Sequence, residues 1–156
     1  MPEDFAVTVG AGTLAPADGD ALALPHRWTD GGVRATVAFT GAHLLHLAVA
    51  GCVLNDVYRE AHARGLPLDG VAVTARGGFA PETWASTGVT YEVRLDTTAP
   101  DDAVVRLLAV VDEVAEIPRA VRQGVPVSRP TAPARPGLPA RASAARGSCG
   151  SRRSGR

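Results

Sequence analysis

The sequence predicts an α+β fold in which two helices pack on an antiparallel or mixed sheet. Three observations carry that reading. Thr40 to Gly65 reads as one long, largely apolar helix. Strand-like alternation flanks it, most cleanly over Thr87 to Asp96, where Val89, Tyr91, Val93 and Leu95 alternate with Thr90, Glu92 and Arg94. A second amphipathic helix follows, so the order is strands, helix, strands, helix. At 156 residues the chain is long enough for one domain.

In chain order, Phe5 to Val9 alternates and predicts a first strand, and Gly10 to Asp20 reads as a loop. Ala21 to Trp28 and Val33 to Phe39 predict two strands joined by a hairpin-type turn at Thr29-Asp30-Gly31-Gly32. The second of these places Val33, Ala35, Val37 and Phe39 on one face. Thr40 then suits a helix N-cap, because its hydroxyl can accept from a free first-turn amide. Gly65 suits the left-handed residue that ends a helix, and Pro67 blocks continuation.

The first half of this helix, Gly41 to Leu54, has no formally charged side chain, which predicts burial on several faces. The run is too short for a bilayer, which takes roughly 20 residues. Small residues at Gly41, Ala42, Ala48, Ala50 and Gly51 invite a second helix to approach closely. The second half is amphipathic. Leu68 to Ala75 predicts a fourth strand, Gly77-Gly78 and Pro81 a connection, and Thr87 to Asp96 a fifth strand. Asp101 or Asp102 is the expected cap of a helix running to about Ala115, with Val104, Val105, Leu107, Leu108 and Val111 as its buried stripe. Pro118 is expected to break it, Arg119 to Gln123 to form a short helical turn, and Gly124 to Val127 a last extended piece.

Composition sets limits on function. Apolar residues make up 46% but aromatics only 4%, so the core must be built from Val, Leu and Ala. A thin core of this kind favours an obligate dimer. The net charge of zero hides an asymmetry: residues 1–127 hold nine arginines against all sixteen acids, a net of −7. That argues against nucleic acid as a partner of the folded part. Residues 128–156 are Ser, Pro, Ala, Gly and Arg with one leucine, and are expected to form a disordered tail after a domain spanning 1–127. The N-terminus, with Glu3 and Asp4, reads as lacking a signal peptide, so a cytoplasmic protein with a reduced cysteine is expected, with no membrane partner.

Cys52 is the one cysteine in the predicted fold, Cys149 lying in the tail. His43 and His46 share a helix face, but Cys52 lies six residues past His46, about 240° around the helix, so one helix does not bring the three onto a metal. No metal and no cofactor are expected. Asp56 is one turn beyond Cys52, and a carboxylate there raises a thiol pKa. His26 and His62 read most simply as surface residues. There is no Gly-x-Ser-x-Gly elbow, no Cys-x-x-Cys and no lysine, so no phosphate loop.

Several stretches together resemble the OsmC/Ohr family of osmotically inducible and organic hydroperoxide resistance proteins. They are Gly41-Ala42-His43-Leu44-Leu45, the small apolar run to Gly51, Cys52, Asn55 to Ala61, Leu68 to Val73, and Ala115 to Val127. The resemblance covers about residues 5–127. It implies an OsmC-like fold, an intertwined homodimer with the central helices between two sheets, and active sites at the subunit interface. It also implies thiol-dependent reduction of organic hydroperoxides in an oxidative stress response, with Cys52 as the attacking residue. The chain departs from the family pattern in two places. Ala42 stands where a supporting glutamate belongs, and Ala115 stands where the resolving cysteine belongs. Arg27 and Arg34 are the only arginines before the helix available for the family's activating role. The resemblance therefore implies at most a one-cysteine peroxidase resolved by an external thiol, with His43, His46, Asp56, Arg27 and Arg34 as supporting candidates. Two other readings stay open: a catalytically degenerate homodimer that binds a small apolar ligand at its interface, and a structural dimer whose tail does the interacting.

Overall fold

The computed structural model describes residues 4–130; of the tail expected from 128 onward, residues 131–156 lie outside the described residues. The chain runs β1 (Val7–Gly12), β2 (Leu22–Leu24), β3 (Val33–Thr36), α1 (Gly41–Ala63), β4 (Gly70–Phe79), β5 (Ser86–Asp96), α2 (Asp101–Val114), α3 (Glu116–Arg122) and β6 (Val127–Ser128). The six strands form one sheet in the order β2-β3-β1-β4-β5-β6. Neighbours pair antiparallel except β5 and β6, which run parallel, so the sheet is mixed. The helices cover one face. Val7, Val9, Ala11, Val71, Val73, Ala75, Val89, Tyr91 and Val93 meet Val49, Ala50, Val53, Leu54 and Val57 of α1 and Leu107, Leu108 and Val111 of α2.

Helix α1 has both expected ends. Thr40 Oγ1 accepts from the amide of His43 at 3.2 Å, and Gly65 adopts a left-handed φ of 63°. Its covering of the core is one-sided along the first half. Leu44 is 43% exposed, and Gly41 and Ala48 are exposed with it. Within one chain, therefore, the uncharged half of the helix is not buried all round.

Several expectations are corrected. β1 runs on to Gly12, where the alternation pointed to an end at Val9. Gly10 continues the strand because the following loop crosses it: a Cβ there would sit 2.3 Å from Leu14 O. β2 stops at Leu24, because Pro25 lacks the N–H a ladder needs. β3 stops at Thr36, so Phe39 leaves the predicted face and is 87% exposed. β4 runs through Gly77-Gly78, read as a connection, and absorbs them in an irregularity of register between Gly77 and Phe79.

The N-cap of α2 is Pro100. Asp101 and Asp102 fall in its first turn, where they favour the helix dipole instead of capping. Val105 is 67% exposed and does not belong to the buried stripe. The break after α2 comes at Ala115, whose extended ψ of 114° separates two helices. Pro118 sits in the first turn of α3, where its missing N–H costs little. Just past the compositional change at Val127, β6 takes in Ser128. Arg129 grips Asp112 through Nη2 at 2.7 Å and Nε at 3.0 Å, and the Tyr91 hydroxyl donates to the same carboxylate at 2.7 Å.

Candidate functional site

Cys52 lies at the middle of α1, half-buried, where α1 crosses the start of α3. The break at Ala115 leads the chain into α3 beside the sulfur, where the backbone amides of Ile117 and, to a smaller extent, Glu116 favour the thiolate. Two carboxylates share the neighbourhood, Asp56 from the next turn of α1 and Glu116 from α3. Burial pushes the Cys52 thiol above its ordinary value. The Ile117 amide pulls it down, and Asp56 and Glu116 push it further up. The thiol is thus held protonated at neutral pH in the isolated chain.

Asp56 is 2% exposed. Its Oδ1 is held by Arg59 Nη1 at 2.9 Å and by Asn55 Nδ2 at 3.2 Å, while its Oδ2 is buried without a hydrogen-bond partner. Burial raises its pKa, Arg59 and Asn55 oppose the shift, and Glu116 and Glu60 add to it. A carboxyl group in this position is available for proton exchange closer to neutrality than a solvated one.

The other supporting candidates are engaged elsewhere. Arg34 lies on the opposite face of the sheet, with Nη2 donating to Asp18 O at 2.6 Å. The Arg27 guanidinium stacks 5.4 Å from the Trp28 ring. Trp28 in turn packs on His62, ten residues past Cys52 and about 15 Å along the helix. His43 Nδ1 lies 2.7 Å from Thr40 Oγ1 at the helix start. His46 is fully buried, with Nδ1 donating to Phe5 O at 2.6 Å and Nε2 unpartnered against Gly77. These two histidines tie the chain entering β1 to α1. Among the described residues no three His, Cys, Asp or Glu side chains are placed to share a metal ion, and no helix is long and apolar enough to cross a membrane.

Sequence reasoning missed two residues. Glu116 was legible in principle, because it follows Ala115, the position the family resemblance assigns to the resolving cysteine. His26, read as a surface residue, is half-buried: it packs edge-on to Tyr58 at 5.4 Å, sits 2.9 Å from Thr29 Oγ1 and interacts with Asn55. Burial lowers its pKa and Asn55 opposes that shift, so it supplies little positive charge near the thiol.

The family profile described as OsmC-like protein matches residues 31–129, a span that holds Cys52, both flanking carboxylates and the α3 start. The chain belongs to the OsmC family. Solved OsmC-like structures share its fold. An OsmC-like protein from Mycoplasma pneumoniae superposes with a TM-score of 0.55 at 10% identity, covering 72% of this chain and 94% of its own. An OsmC-like hydroperoxide resistance protein from Jannaschia gives 0.52 at 15%, covering 77% and 87%. An organic hydroperoxide resistance protein OsmC from Legionella pneumophila gives 0.50 at 20%, covering 73% and 97%. No curated protein sequence matches the chain significantly. Against this OsmC frame, Ala115 is completely buried at the α2–α3 break, next to the amides that face Cys52.

Proposed function

We propose that this OsmC-family chain acts in the cytoplasm as a homodimeric one-cysteine thiol peroxidase, in which Cys52 reduces organic hydroperoxides and an external low-molecular-weight thiol restores it. The observation that carries this reading is the position of Cys52. It is partly buried beside the first amides of α3 and lies next along the helix from the open face of Gly41, Leu44 and Ala48. An amide cluster stabilises a developing thiolate, and the apolar rim suits a hydrocarbon-bearing peroxide. That rim extends to Ile117, 39% exposed, and Phe39, and is the surface a second copy would cover. The raised thiol pKa makes turnover slow unless the partner subunit brings a cation to the sulfur.

The test is exposure of the purified full-length protein to cumene hydroperoxide, followed by a dimedone-type sulfenic acid trap and mass spectrometry, with Cys52→Ser as control. Trapping at Cys52, faster at pH 9 than at pH 7, is expected. If Cys52 stays a free thiol under millimolar peroxide, yet alkylates once the protein is denatured, the peroxidase reading is wrong. The second reading, a degenerate apolar-ligand binder, draws on the same raised thiol pKa and on Ala42 and Ala115. It requires Cys52→Ala to bind a fluorescent fatty acid as well as the wild type does.

A further inference from the structure

We infer that Asp56 is the proton-handling group of the Cys52 reaction, taking the thiol proton and returning it to the leaving alkoxide. This rests on the peroxide-reducing reading of Cys52 and adds a route that the missing family helpers do not supply.

The geometry points to Asp56 for three reasons. It stands one helical turn from Cys52 on the same face, the separation at which side chains of one helix meet. It is 2% exposed, and its Oδ1 is fixed by Arg59 and Asn55 while Oδ2 makes no hydrogen bond. A buried carboxylate oxygen left without a donor has a higher proton affinity than a solvated one, which suits it to take a proton during the reaction. The alternative base, Glu116, has an exposed side chain and so lacks the burial that raises the proton affinity of Asp56. The charged groups that act on Asp56 are Arg59 and Glu60 from α1 and Glu116 from α3. Arg59 alone is cationic, and it holds the oxygen that does not take the proton.

The reaction balances as follows. The Cys52 S–H proton passes to Asp56 Oδ2, directly or through one water. The thiolate attacks the distal oxygen of ROOH, the O–O bond breaks and an S–O bond forms. Sulfur loses two electrons, becoming Cys–SOH, and the O–O bond gains them, leaving RO⁻. Asp56 gives the proton to RO⁻, releasing ROH and returning to carboxylate. A small thiol then converts Cys–SOH to a mixed disulfide and water, and a second thiol frees Cys52.

The two roles open to Asp56 separate in one variant. If its charge only hinders the thiolate, Asp56→Asn speeds both iodoacetamide alkylation and oxidation by cumene hydroperoxide. If it handles the proton, Asp56→Asn leaves alkylation unchanged or faster at pH 7 but slows oxidation by about 100-fold, the low end of general acid–base contributions. Asp56→Glu should recover part of that loss. An oxidation rate equal to or above wild type in a folded Asp56→Asn overturns the inference and leaves the peroxidase reading standing. A wild type inert to hydroperoxide overturns both. Wild-type protein also gives a variant-free readout: oxidation should slow in D₂O more than alkylation does, and equal slowing would overturn the inference.

Discussion

Asp112 ties the last turn of α2 to both β5 and Arg129 just past β6, and replacing it by alanine should show how that end of the fold is held. Its carboxylate accepts from the Tyr91 hydroxyl at 2.7 Å and from Arg129 in a two-pronged contact. Tyr91 is 1% exposed, so Asp112→Ala strands a buried phenol, which costs about 1–3 kcal/mol. The Arg129 pair is only partly screened, the two side chains being 17% and 30% exposed. It should add about 1 kcal/mol. The expected loss is therefore about 2–4 kcal/mol in urea denaturation at fixed protein concentration. Tyr91→Phe, which leaves the ion pair intact, should lose about 1 kcal/mol.

The deficit should also depend on pH. Burial, and then Asp112, push the Tyr91 phenol above its ordinary value. A folded pKa above the unfolded one means that the contribution is intact below about pH 10 and is lost as pH rises beyond it. The gap between wild type and Asp112→Ala should narrow there. A loss below about 0.5 kcal/mol at pH 7, within the range of ordinary surface substitutions, would refute the reasoning.

Two further outcomes follow from close contacts. Gly77→Ala places a Cβ 2.2 Å from Gly88 O and 3.0 Å from His46 Nε2, so thermal unfolding should show a loss of about 1–3 kcal/mol; an unchanged melting temperature would contradict the seating of His46. Ala115→Cys should convert peroxide oxidation of Cys52 into an internal disulfide between Cys52 and the introduced thiol, and speed turnover with a dithiol reductant. Two free thiols by mass spectrometry after peroxide would show that the α2–α3 break does not bring position 115 within reach.

What was legible in the sequence was what repeats locally. The alternation of Val89, Tyr91, Val93 and Leu95 placed β5 correctly, and Thr40 and Gly65 bracketed α1 to within two residues of its ends. The errors fell where a distant partner decides. Gly77 and Gly78 look like a turn until β4 carries them alongside β5, and Val105 fits a helical stripe until α2 packs on α1 with only the 104, 107, 108 and 111 side buried. The site followed the same pattern. Cys52 and Asp56 were visible as one helix face, but Glu116 reaches them from a helix far along the chain. Arg27 and Arg34 could be judged only once their partners Trp28 and Asp18 were in place.

The uncharged half of α1 links this gap to the chemistry. Its pattern demands cover on several faces, yet one chain leaves Gly41, Leu44 and Ala48 exposed, and Cys52 is the next residue along that stripe. Whatever covers the stripe also strips water from the sulfur. A purely apolar cover would raise the thiol pKa further, because burial is already its largest perturbation. A cover that brings an arginine to the Asp56–Glu116 side would work against that rise, because a cation there favours the thiolate and offsets the two carboxylates that now oppose it. A surface that covered this stripe would therefore also set the reactivity of Cys52, and the two could not be varied independently.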